Sequence, residues 1–249
     1  MDLTLYRTPD DLPRELRYRC IPAGNTGWQV FHHPVYVAPF PLALPRPIEE
    51  FLALRQHRAD EALCEARYKD FVFVLERPYR LEALVDLARD GAFDDDPGAY
   101  WELARTCWMD SDIPERDGIW AAVLAVDLPL KESFMTAAER AELEAMPDPV
   151  TVWRGVQGTN EDEARDACLS GHSWTFDPAI AYRFANRFLR APVRGWIARA
   201  EVPKEIIAGY LTERGEAEMV IRPGDLSGLE IALETVTALD DDPDPVWPG

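Results

Sequence analysis

Apolar residues recur with a helical period from residue 48 onward. Ile48, Phe51, Leu52 and Leu54 open a stripe directly after Pro47, a residue that suits a helix start. Leu81, Leu84, Val85 and Ala88 follow the i, i+3, i+4, i+7 rule, with Pro78 interrupting the pattern before them and Gly91 as the stop. Residues 48–91 are therefore expected to be helices. Asp94-Asp95-Asp96-Pro97-Gly98 reads as a turn. Residues 100–109 read as a helix with Trp101, Ala104 and Trp108 on one face, read as core, and residues 119–126 as a buried apolar helix. Thr136 and Glu139 have the spacing of a capping box, and Pro147 closes the helix they start. Ahead of these helices, residues 28–37 have room for one or two short strands. Pro39, Pro41, Pro45 and Pro47 forbid long regular structure around them.

The pattern changes at Pro147. Val150-Thr151-Val152-Trp153-Arg154 alternates and is rich in β-branched residues, which predicts a strand. Residues 173–176 are short and extended. Asp177-Pro178 is a helix start, with Asp as cap and Pro in the first turn, and Ala181, Phe184, Ala185 and Phe188 then face one way. Residues 195–202, 216–221 and 229–236 read as three further strands. The expected class is α+β: a mainly helical region over 1–147, a β-rich domain over 148–238 and a disordered acidic tail over 239–249.

A chain of 249 residues, 47% of them hydrophobic, is long enough to bury a substantial core. The net charge of -19 is spread along the chain, so nucleic acid and anionic membranes are repelled at long range. Cys20, Cys64, Cys107 and Cys168 form no C-x-x-C pair. A zinc set built from Cys20, His32 and His33 fits the usual spacings poorly, so scattered reduced thiols and no metal are expected. The N-terminal stretch lacks the apolar core of a signal peptide, and no apolar run is long enough for a membrane span. A cytoplasmic protein is the expectation.

Three short motifs can carry chemistry. In Gly215-Glu216-Ala217-Glu218-Met219-Val220-Ile221, a continuous strand would put Glu216, Glu218 and Val220 on one face and Ala217, Met219 and Ile221 in the core. Two carboxylates that close repel each other unless something uses them, or they lie on a solvated face. Arg154 at a strand end, followed by Gly155, can offer a planar fork to phosphate oxygens, with Gly155 letting a ligand approach the backbone. Ser173 and Thr175 share a face of an extended segment and can hold neighbouring side chains or a ribose.

Taken in order, Val152-Trp153-Arg154-Gly155, then Ser173-Trp174-Thr175 running into a helix with Phe184-Ala185, then Gly215 to Ile221 with its E-x-E, the set resembles the Arg-Ser-Glu class of ADP-ribosyltransferases. Ser-Trp-Thr stands where that class usually has Ser-Thr-Ser. The resemblance covers the last 90 to 100 residues or so, and implies a split, two-sheet β core. It also implies NAD+ as co-substrate, cleaved at the nicotinamide bond, with transfer of ADP-ribose to an acceptor. Glu218 would stabilise the cationic ribose and Glu216 would orient or deprotonate the acceptor. Arg154 and Gly155 would bind the pyrophosphate, Ser173 would brace Glu218, and Thr175 would line the cofactor site.

E-x-E in this class often goes with protein arginine as acceptor, and such enzymes often serve as bacterial or phage toxins or effectors, for which a neutralising partner is one expectation. Other readings stay open: an NAD glycohydrolase, a transferase acting on nucleic acid, or a non-catalytic module on the same scaffold. Residues 178–200 contain no acidic residue and five arginines. Arg183, Arg187 and Arg190 among them are spaced for one helix face, which either is solvated or touches NAD+ phosphates, an acidic protein or RNA. His172 is read as structural or exposed.

Overall fold

The computed structural model describes residues 3–24, 26–110, 117–187 and 189–236; Phe188 and the tail 239–249 lie outside the described residues. The chain divides into two compact units, Met1–Asp96 and Pro97–Gly249. The division precedes Pro147, where the composition changes. A compact unit is set by packing, and Trp108 and Glu139 are hydrogen-bonded to Glu218 and Thr212 in the β-rich part.

The first unit contains strands β1 (Thr4–Tyr6), β2 (Cys20–Pro22), β3 (Gln29–His33), β4 (Tyr36–Pro39) and β5 (Leu42–Leu44), then helices α1 (Ile48–Cys64), α2 (Tyr68–Val74) and α3 (Arg77–Arg89). β2, β3 and β4 form an antiparallel meander, and β1 pairs with β5. The helices follow the apolar stripes: Ile48 and Leu52 on α1 and Leu81 and Leu84 on α3 are buried. Pro78 starts α3 instead of breaking a helix, because it falls in the first turn, where no intrahelical N–H is needed.

The second unit begins with α4 (Pro97–Asp110), α5 (Asp117–Leu124) and α6 (Ala137–Ala145). The capping box at α6 is formed: Glu139 N donates to Thr136 Oγ1 at 3.2 Å and Thr136 N donates to Glu139 Oε2 at 2.8 Å. There follow β6 (Val150–Gly158), α7 (Glu161–Ser170), β7 (Ser173–Thr175), α8 (Pro178–Asn186), β8 (Arg194–Val202), β9 (Ile207–Leu211), β10 (Glu218–Ile221) and β11 (Ile231–Thr235). Their sheet order is β11-β8-β6-β7-β10-β9, antiparallel throughout.

The pairing is uneven. β6 and β8 match over nine residues, from Val150 opposite Val202 to Gly158 opposite Arg194. β6 and β7 share one pair, Trp153 opposite Thr175. The six strands thus form two well-paired halves, β11-β8-β6 and β7-β10-β9, joined at a seam.

Each face of this sheet has its own cover. Val152, Val156, Trp174 and Met219 pack in one cluster with Ala164 and Cys168 of α7. On the other face α8 lies against β6 at Gly155, where an added Cβ would stand 2.0 Å from the Ala181 carbonyl oxygen and 2.5 Å from the Ala185 nitrogen. Gly155→Ala must therefore push α8 off the sheet. Urea denaturation is expected to show a loss of about 1–3 kcal/mol, and an unchanged midpoint would mean that the helix does not sit this close.

Candidate active site

The seam gathers the residues singled out by their chemistry. Registry places Glu218 of β10 opposite Thr175 of β7, and Val220 opposite Ser173, so all four side chains project from one face. The Glu218 carboxylate is buried, at 5% exposure. Ser173 Oγ donates to its Oε1, and the indole Nε1 of Trp108 donates to its Oε2 at 3.0 Å. A buried carboxylate stays affordable when both oxygens have donors, and this one has a hydroxyl on one side and an indole on the other.

Arg154 differs from its expected place. It lies inside β6, four residues short of the strand's last residue Gly158, and not at a strand end. Its Nη1 donates to the backbone oxygen of Ser173. The alternation of β7 explains the contact. Ile221 N donates to His172 O, and Phe176 N donates to Ala217 O, so His172 and Phe176 turn toward β10. Ser173 therefore turns its carbonyl toward β6, where the ladder has stopped, and the guanidinium stands in for the missing strand partner. Gly171 makes room for it, since a Cβ there would fall 1.7 Å from Arg154 Nη2.

At Gly155, placed in the sequence as an opening for a ligand, it is α8 that packs against the backbone. Cys168 lies fully buried on the α7 face. Burial pushes its thiol up to about 11, against the opposing pull of Arg154 and Arg165.

The E-x-E segment is not one strand. β10 begins at Glu218, and Ala217 has φ 44°, in the left-handed region. That twist re-aims Glu216 out of simple alternation and leaves it half-buried in the turn before β10. The turn is held from β7: Thr175 Oγ1 donates to Glu216 O at 2.7 Å and accepts from Asp177 N at 3.0 Å. Thr175, expected to line a cofactor site, uses its hydroxyl to hold the Glu216 turn and the start of α8. Asp177 caps α8 through Ala179 N at 2.8 Å. Burial and the Glu218 charge raise the Glu216 carboxyl above the ordinary range, opposed by Arg214, Arg183 and Arg187.

These three cations are a setting that composition alone does not reveal. α8 ends at Asn186, so Arg187 caps it, Arg190 lies beyond it, and the three arginines do not share a helix face. Arg183 and Arg187 are exposed. His172 is buried, with its ring 6.4 Å from that of Trp108.

Trp108 is the site residue that apolar periodicity hides. It has the burial expected of core, and a buried indole N–H usually takes an acceptor, a signal Trp108 shares with the chain's other buried tryptophans. Among the described residues no group of three or more His, Cys, Asp or Glu side chains is placed to hold a metal ion. No helix among them is long and apolar enough to cross a membrane. No family model, curated protein or solved structure matches this chain.

Proposed function

We propose that this chain is a mono-ADP-ribosyltransferase that cleaves NAD+ and passes the ADP-ribose to an acceptor. The observation that carries the reading is the Glu218 carboxylate, buried at the sheet seam and held by Ser173, whose own backbone is bound by Arg154. The Arg-Ser-Glu set of the sequence is one connected group in space. The seam between the two halves of the sheet also supports a split β core of the transferase type.

The chemistry follows from the side chains. When the bond between nicotinamide and ribose breaks, its electron pair leaves with nicotinamide and the ribose becomes an oxocarbenium-like cation. A fixed, desolvated carboxylate stabilises that cation more strongly than a solvated one. Glu218 supplies it. Arg154 is the cation for the pyrophosphate. Glu216, in its separate turn, takes the proton from the acceptor as the acceptor bonds to the ribose carbon.

This division of labour gives a test within the pair. Glu216→Gln is expected to retain NAD+ cleavage to free ADP-ribose and to lower transfer by about a hundredfold or more. In the wild type the base must be ionised and its carboxyl is raised, so transfer should fail on the acid side at a pH above that of an ordinary glutamate. Equal losses of cleavage and transfer in Glu216→Gln would refute the assignment.

The acceptor has two readings. An E-x-E pair suits a guanidinium, as in protein arginine. Arg214, Arg183 and Arg187 around Glu216 favour a phosphate-bearing acceptor such as nucleic acid. Labelled NAD+ incubated with lysate and the chain, followed by separation of protein, nucleic acid and small molecules, decides between them. Label on protein supports the first and label on nucleic acid the second. Free ADP-ribose alone supports a glycohydrolase, and no turnover in any fraction rejects the reading.

A further inference from the structure

We infer that Trp108 is a positioning residue for Glu218: its indole N–H fixes the carboxylate plane presented to the reacting sugar. This rests on the transfer reaction proposed above. A glutamate held at one oxygen can still turn about its terminal bond. Ser173 holds Oε1, and the second point is the 3.0 Å bond from Trp108 Nε1 to Oε2. Two donors on opposite oxygens define a plane, and one does not.

The indole is itself confined. Its ring lies 4.7 Å from that of Trp120, 6.2 Å from Phe134 and 6.4 Å from His172, all near edge-to-face. Its backbone carbonyl accepts from Arg214 Nη2 at 2.5 Å. Arg214 belongs to the turn that also carries Glu216, so α4 grips the E-x-E segment at a side chain and at a backbone group. The ionisable groups around this contact are Arg154 from β6, His172 ahead of β7, Arg214 and Glu216 from the turn, and Arg183 and Arg187 from the end of α8. A purely packing role would leave the N–H without importance.

Trp108→Phe separates the two roles, because phenylalanine keeps an aromatic filler and removes the donor. In the full chain kcat for nicotinamide release is expected to fall about tenfold, with KM for NAD+ unchanged. A second readout needs no turnover. In protein labelled with 15N-tryptophan, the indole cross-peak that Trp108→Phe removes identifies Trp108, and it should move upfield in Glu218→Gln.

An unmoved cross-peak overturns the inference, and so does an unchanged kcat in Trp108→Phe. A faster Trp108→Phe also overturns it, since the side chain would then obstruct the carboxylate. If wild type releases no nicotinamide, the transferase reading falls by itself, and the cross-peak still decides whether Trp108 holds Glu218.

Discussion

Glu218→Gln is expected to slow NAD+ cleavage at least about a hundredfold while the protein stays folded. The substitution keeps size and shape and removes charge. Glutamine retains one carbonyl oxygen, which can accept from Trp108 Nε1, and its amide nitrogen can donate to Ser173, whose hydroxyl is free to reverse its role. The packing around position 218 therefore survives. What is lost is the negative charge in a desolvated pocket, where it counts for more than in water. Nicotinamide release measured beside thermal unfolding reads both quantities. A variant with near wild-type turnover removes Glu218 from the chemistry; a variant that melts much earlier shows that the charge was serving the fold.

Arg105→Ala should produce the largest loss of stability. Arg105 Nη1 and Nη2 bind Glu139 at 2.8 and 3.1 Å, and the Glu139 side chain is only 3% exposed. Burial pushes the Glu139 carboxyl upward. The N–H groups of Thr212 and Thr136, the Arg105 guanidinium and the Thr136 hydroxyl outweigh it, and hold the carboxyl at about 2 against an ordinary 4.5. Removing the guanidinium leaves a buried charge without its ion-pair partner, a loss of about 3–5 kcal/mol. Glu213, the other acid on Arg105, is 63% exposed and adds little.

The sign of the pH dependence follows. A folded-state value below the unfolded one stabilises the protein above the unfolded value, on the order of 3 kcal/mol here. That contribution fades as pH falls from 4.5 toward 2. In Arg105→Ala the slope of stability over this range should shrink. Denaturant midpoints measured across it check the claim, and an unaltered slope contradicts it.

Much of the architecture was open to reading because its signals are local. The helix start at Asp177-Pro178, the capping box at Thr136 and Glu139, and the strand at Val150 each depend on a few adjacent residues. The contact of Ser173 with Glu218 follows from two strands lying side by side. The positions of Arg154, Glu216 and Trp108 do not follow from local rules. Arg154 looks like a strand end because Gly155 follows it, but the glycine answers to α8. Glu216 alternates on paper with Glu218, and the left-handed Ala217 breaks that alternation.

Nothing in the apolar pattern announces α7, whose buried positions are the small Ala164 and Cys168, or β9, which has a glycine at its centre. The compact units divide after Asp96 while composition changes at Pro147, because packing draws α4 and α6 to the strands of the second unit.

The seam has a consequence for solubility. Where β6 and β7 part, each strand is an edge inside the sheet, and an edge invites pairing with another chain. The Arg154 guanidinium occupies the Ser173 carbonyl at that opening, so a foreign strand would have to displace it. The cation that the proposed chemistry needs therefore also occupies an acceptor that an exposed edge would leave open. A protein altered at position 154 therefore has two ways to fail, and a loss of activity there carries meaning only when the soluble fraction is counted first.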